Sequence, residues 1–140
     1  MAFRTTDNQK KHDMVLWEIL KIHWPSTGGK VYSNPGAERN CYIQYKDSRG
    51  RTQLAYPDIV ALIRGGNSVR CVGEVETDDT VTALESAQWR LYADIAGQCF
   101  LYVPRETAAA AKALVRGMSG LSLRYYFVDE NGVLNVVGGV

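Results

Sequence analysis

"AYPDIVALIRGGNSVRCVGEVET", residues 55–77, decides how this chain folds. Two apolar runs of strand length flank "RGGN", so the segment reads as a β-hairpin. It carries three carboxylates, Asp58, Glu74 and Glu76. Pro57, just before Asp58, keeps the residue preceding it extended and offers no ladder donor. Glu74 and Glu76 are two residues apart and leave a strand on the same face. With a three-residue turn, Gly65–Gly66–Asn67, Arg64 faces Ser68 and Asp58 falls opposite Glu74. A two-residue turn would shift the register by one and send Asp58 to the other face.

In the first register the β-carbons of Asp58 and Glu74 stand about 5 Å apart. Like charges so placed need a shared proton or a cation. Ile59, Val60, Ala61, Leu62, Val72 and Val75 make the hairpin too apolar for water alone to solvate three charges. Hard oxygen ligands of this kind suit Mg²⁺ or Mn²⁺. The plain alternative is a solvated "EVE" face with Asp58 capping a turn.

After the hairpin the period changes to that of a helix, from about Asp79 to Ile95, with Val81, Leu84, Leu91 and Ile95 as the apolar stripe. Gln88 interrupts that stripe, where a buried amide would need hydrogen-bond partners. Glu85, Gln88 and Tyr92 share one ridge of this helix. "TALE", residues 82–85, also fits a capping box in which Glu85 serves the helix start. Tyr92 also reads as a core residue with its hydroxyl at the rim.

Upstream, residues 8–24 show helical spacing in Val15, Leu16, Ile19, Leu20 and Ile22, and Pro25 with "STGG" ends that helix. "STGGK" lacks the earlier glycine of a phosphate loop, and Val31 follows its lysine where Ser or Thr belongs. Glu18 lies at the edge of the apolar stripe, while His12 and His23 fall near its core side and read as packed histidines. Strands are expected at 30–33 and 41–46, followed by a charged turn, "KDSRGR". Downstream come a buried strand, "QCFLYVP", an alanine-rich helix over 107–116, and a hairpin turning at "ENG". Together these elements predict an α/β domain spanning 1–140, a mixed sheet flanked by helices.

Charge is uneven: residues 1–51 carry nine Lys/Arg against five Asp/Glu, and residues 52–106 carry four against eight. The overall balance of +1 argues against indiscriminate polyanion binding. Three cysteines without a C-x-x-C spacing do not form a zinc or disulfide framework, and Cys71 and Cys99 read as buried thiols. No apolar leader or membrane-length segment is seen, so the reading expects a cytoplasmic protein without a membrane partner.

"PDIVAL" followed by "GEVE", with "QWRLY" on the next helix, resembles the PD-(D/E)xK nuclease superfamily. That superfamily includes restriction endonucleases, Holliday-junction resolvases and RecB-like exonucleases, and "QWRLY" is similar to the Q-x-x-x-Y element of the last branch. The resemblance covers residues 8–104 and implies a restriction endonuclease-like αβββαβ core. It implies a Mg²⁺- or Mn²⁺-dependent nuclease acting on DNA, with Asp58, Glu74 and Glu76 as metal ligands, Glu76 completing the metal shell or acting as general base. Gln88 would position a ligand or the water, with Tyr92, Glu85 and a first-helix glutamate, Glu18, in support. Lys46, Arg49 and Arg51 are the phosphate contacts expected from their place just before Asp58. Glu76 stands where most members have lysine. The alternative is therefore an inactive nuclease-fold module that binds nucleic acid or a protein. The edge offered by "YYFVDENGVLNVV" would let two copies pair as a homodimer.

Overall fold

The computed structural model describes residues 4–22, 24 and 29–138. The first helix, α1, spans Thr6–Ile22 and begins where the Thr5 hydroxyl accepts the Asn8 amide at 3.2 Å. Asp7 in its first turn and Lys21 in its last complement the helix dipole. His12, Val15, Leu16 and Ile19 form its buried face. His12 is packed as expected; His23 lies outside the described residues.

Eight strands follow: β1 (Val31–Ser33), β2 (Ile43–Lys46), β3 (Thr52–Ala55), β4 (Ile59–Leu62), β5 (Val69–Val75), β6 (Cys99–Pro104), β7 (Leu121–Val128) and β8 (Leu134–Gly138). Helix α2 (Ala83–Ala96) joins β5 to β6, and α3 (Ala108–Leu114) joins β6 to β7. Six strands form one sheet in the order β1-β4-β5-β6-β7-β8, while β2 and β3 pair separately. The β5–β6 and β6–β7 pairs are parallel and the rest antiparallel. Parallel neighbours require crossovers, and α2 and α3 supply them. The chain is α/β with a mixed sheet.

The sheet has two apolar faces. On one, Val15, Leu16 and Ile19 of α1 pack with Trp24, Ile59, Ala61, Cys71 and Val75. On the other, Tyr92 and Ala93 of α2 pack with Val60, Val72, Cys99 and, from the small sheet, Ile43 and Ala55. Cys71 and Cys99 are free and buried, one on each side. Gly73 faces α1 at a place only glycine fits, because a β-carbon there would come within 2.9 Å of the Trp24 ring. Among the described residues no helix is long and apolar enough to cross a membrane.

Two expectations need correction. The segment 55–63 is not one strand: β3 ends at Ala55, and Tyr56–Asp58 turn the chain into the main sheet. The missing proline donor and the bend at Asp58 account for the break. On α2 the buried face is Glu85, Trp89, Tyr92 and Ala93, whereas Leu84 is 73% exposed. The aromatic side chains bury more area than the leucines and take the centre of that face, while Leu91 and Ile95 pack at its margin and Leu84 turns outward. Trp89 is wholly enclosed by Leu101, Val103, Ala111 and Leu123.

Candidate active site

The hairpin register brings Asp58 and Glu74 together by a route different from the expected turn. Ile63 N–H bonds to Ser68 O, leaving a four-residue loop, and Leu62 pairs with Val69. A bulge then intervenes, because Ala61 pairs with Cys71. The extra residue on β5 restores the count, and Ile59 pairs with Gly73. Asp58 therefore sits one step before β4, opposite Glu74. The Asp58 amide donates to Glu74 Oε1, and the Val75 amide donates to Asp58 Oδ2, both at 2.8 Å. Each carboxylate is thus held by backbone from the partner strand.

The two line a cleft of about 450 Å³ at this end of the sheet. Its walls come from the first half of α1 (His12), one side of α2 (Glu85, Gln88, Tyr92), Arg4, and the loop after β1. That loop is pinned by Asn34. The Asn34 Nδ2 group donates to Pro57 O at 2.7 Å and Cys41 O at 2.8 Å, and its Oδ1 accepts the amides of Asn40 and Cys41. Asn34→Ala should cost about 1–3 kcal/mol, because buried backbone groups lose their partner. It should also open residues 35–41 to protease. A urea midpoint unchanged from wild type would refute that role.

Burial is the main cause that pushes the Glu74 carboxyl well above its usual range, with Asp58 and then Glu76 adding repulsion. A cation between Glu74 and Asp58 would relieve that penalty. Asp58 also faces His12, whose Nε2 stands 3.0 Å from Oδ2 while Nδ1 lies 2.8 Å from Asp13 Oδ1. Burial works to lower the His12 pKa, but Asp58 outweighs it and the net shift is upward. An imidazolium donating to a carboxylate on each side satisfies both ring nitrogens.

Glu76 departs from expectation. It is fully buried and is not among the residues lining the cleft. The Trp89 indole donates to its Oε1 at 3.3 Å, and Arg4 lies 3.6 Å from Oε2, which has no hydrogen-bond partner among the described residues. Burial pushes its pKa up to about 8, hydrogen bonding to Thr80 and the charge of Arg4 opposing. Burial thus favours the protonated form of this group, and protonation would weaken its pairing with Arg4. The cause is position: Glu76 follows the end of β5, where Trp89 and the 77–80 turn close over it.

Of the helix residues, Gln88 donates its amide to the Tyr92 hydroxyl at the cleft wall. Burial is the main cause raising the Tyr92 pKa, so the phenol keeps its proton and can donate it into the cleft. Thr82 caps α2 by accepting the Glu85 amide at 3.2 Å, so "TALE" does start the helix, while the Glu85 side chain still reaches the cleft.

Four expected residues are elsewhere. Glu18 pairs with Lys21 at 3.5 Å, about 9 Å further along α1 than His12, which alone of the two faces the site. Lys46, Arg49 and Arg51 belong to the β2–β3 hairpin and do not line the cleft. Lys46 bonds to Thr52 across that hairpin. The Asp47 carboxylate gathers the amides of Arg49 and Arg51 and the Arg51 side chain, folding the turn back on itself. In their place stand Arg4 and Arg39. Sequence reasoning missed both, and His12 as a partner of Asp58, because no local pattern links them to residues so distant in the chain.

Among the described residues no group of three His, Cys, Asp or Glu side chains is arranged to hold a metal ion. The three-carboxylate set therefore does not fit. Two carboxylates do suffice for Mg²⁺, which commonly takes one or two and completes its shell with water and phosphate. Asp58 and Glu74 meet that requirement. Comparison with protein-family models, with curated proteins and with solved structures returns no match.

Proposed function

We propose that this protein is a divalent-metal-dependent nuclease of the PD-(D/E)xK type, hydrolysing phosphodiester bonds of DNA. The observation that carries the reading is the Asp58–Glu74 pair, set side by side by backbone hydrogen bonds in an open cleft. Gln88 and Tyr92 on the adjoining wall and the order of helix and strands support it, with the β2–β3 hairpin as an insertion in a restriction endonuclease-like core.

Asp58 and Glu74 are the residues that would hold Mg²⁺ or Mn²⁺, and the bound ion would polarise the phosphate and lower the pKa of a water. His12 and the Val75 amide fix the rotamer of Asp58, so the ligand is preorganised. Arg4 is the cation nearest the missing motif lysine and would neutralise charge gathering on the phosphate. Tyr92, oriented by Gln88, would donate to a phosphate or water oxygen. A homodimer along β8, one of the two edge strands of the main sheet, belongs to the same proposal.

A second reading, a nuclease-fold binding module without chemistry, is favoured by one observation: Glu76 stands at the motif lysine and is sealed from the cleft. One experiment separates the two. Thermal unfolding is followed in EDTA, Mg²⁺ and Mn²⁺, beside cleavage of plasmid, single-stranded DNA and RNA. Metal at one hundred times its Kd should stabilise the protein by about 2.7 kcal/mol. Stabilisation with cleavage supports the nuclease, and stabilisation alone supports the module. The absence of both effects would sink the metal site itself.

A further inference from the structure

The mouth of the cleft carries a feature that metal chemistry does not use. Arg39 lies over the Tyr56 ring at 4.6 Å from its centroid. Tyr42 meets the same ring edgewise, with centroids 6.3 Å apart and planes inclined at 62°. Arg39 and Tyr56 line the cleft together with Asp58 and Glu74, and Tyr42 is 54% exposed. Tyr56 is two residues before Asp58, a backbone reach of about 7 Å at most. The loop that carries Arg39 is itself tied to Pro57 through Asn34. The aromatic pair, the guanidinium and the carboxylate pair therefore form one anchored unit.

Resting on the nuclease reading, we infer that the cleft takes an unpaired nucleic-acid strand, with a base stacked on the exposed Tyr42 ring, which Tyr56 supports edgewise, and Arg39 on the adjoining phosphate. In a duplex the base faces are covered by their neighbours, so an aromatic platform has nothing to stack on. An unpaired strand exposes those faces and gains from tyrosine and arginine planes without regard to sequence. The acidic centre repels phosphate by itself, which makes a neighbouring cation and a stacking surface the natural means of holding the chain. The chemistry is shared by single-stranded DNA and RNA.

The test is binding of fluorescently labelled oligonucleotides by anisotropy, in EDTA and again in Ca²⁺. The probes are a mixed-sequence single-stranded DNA, the same strand in a duplex, and the matching RNA strand. The single strand should bind at least about tenfold more tightly than the duplex. Tyr42→Ala should weaken single-strand binding about 5- to 150-fold, while Tyr42→Phe, which keeps the ring, should restore it. Arg39→Ala should lower the slope of log affinity against log salt by about 0.7. A preference for RNA would assign the strand to RNA and keep the platform. Equal or tighter duplex binding, no effect of Tyr42→Ala, or no binding in either condition would overturn the inference. Cleavage is scored separately. Single-strand binding that depends on Tyr42 without Mn²⁺-dependent cleavage would sink the nuclease reading and leave the platform. Cleavage of duplex by an unaffected Tyr42→Ala variant would do the reverse.

Discussion

Asp58→Asn and Glu74→Gln should each abolish divalent-dependent cleavage while the protein stays folded. Both replacements keep an oxygen where a backbone amide now donates, Val75 N–H in one case and Asp58 N–H in the other. What each loses is the negative charge that would bind the metal. Metal assistance contributes several kcal/mol to the barrier, which corresponds to about a 10³-fold loss of rate. The apo stabilities should diverge. Glu74 is the carboxyl whose charge is opposed by burial and by Asp58, so Glu74→Gln should raise the melting temperature in EDTA. Asp58→Ala is a different case, because it strands the Val75 amide and the buried His12. That variant should lose about 1–3 kcal/mol. Retention of more than a tenth of wild-type cleavage by either charge-neutral variant would remove Asp58 and Glu74 from the chemistry.

Glu76→Gln should flatten the dependence of stability on pH. The Glu76 pKa is about 8 in the folded chain against an ordinary value of 4.5. A group raised in the folded state binds its proton more tightly there. Its contribution is complete below pH 4.5 and is lost as pH rises through about 8. The loss over that window is on the order of 5 kcal/mol. The replacement amide cannot ionise and keeps an acceptor for the Trp89 indole, so the variant should be the more stable protein above pH 8. Glu74 shifts in the same direction and will leave some slope in both proteins. Urea midpoints between pH 5 and 9 in EDTA measure the difference. Parallel curves would mean that Glu76 is ionised throughout and that Arg4 holds it. Glu76→Lys, by contrast, would set an ammonium in a sealed site beside Arg4. It should destabilise by about 3–5 kcal/mol, so it cannot serve as a simple test of the motif.

Much of the fold was legible in local pattern. The helix at 6–22, the strands at 31–33, 43–46 and 99–104 and the C-terminal hairpin all follow from apolar spacing and from Gly and Pro punctuation. The cap at Thr82 was readable from four residues, because a capping box is a contact between near neighbours. The opposition of Asp58 and Glu74 was also legible, but for an incomplete reason. A four-residue loop and a one-residue bulge together give the same parity as the three-residue turn. Turn chemistry alone cannot distinguish those two routes.

The sequence by itself determined which residue types meet on the hairpin, since strand alternation and register are short-range properties of 55–77. Tertiary structure decided their environments. Glu76 shares a strand parity with Glu74, yet Trp89 and the turn after β5 seal it from the cleft while Glu74 remains at its wall. The cations of the site come from Arg4 and Arg39 rather than from the charged turn at 46–51, because charges act through space and the chain folds that turn onto Asp47. His12 reaches Asp58 across 46 residues only because α1 lies on the face of the sheet where β4 begins. Periodicity records which side of an element is apolar; it carries no record of which distant element will cover that side, and burial, proton affinity and the cleft itself depend on that packing.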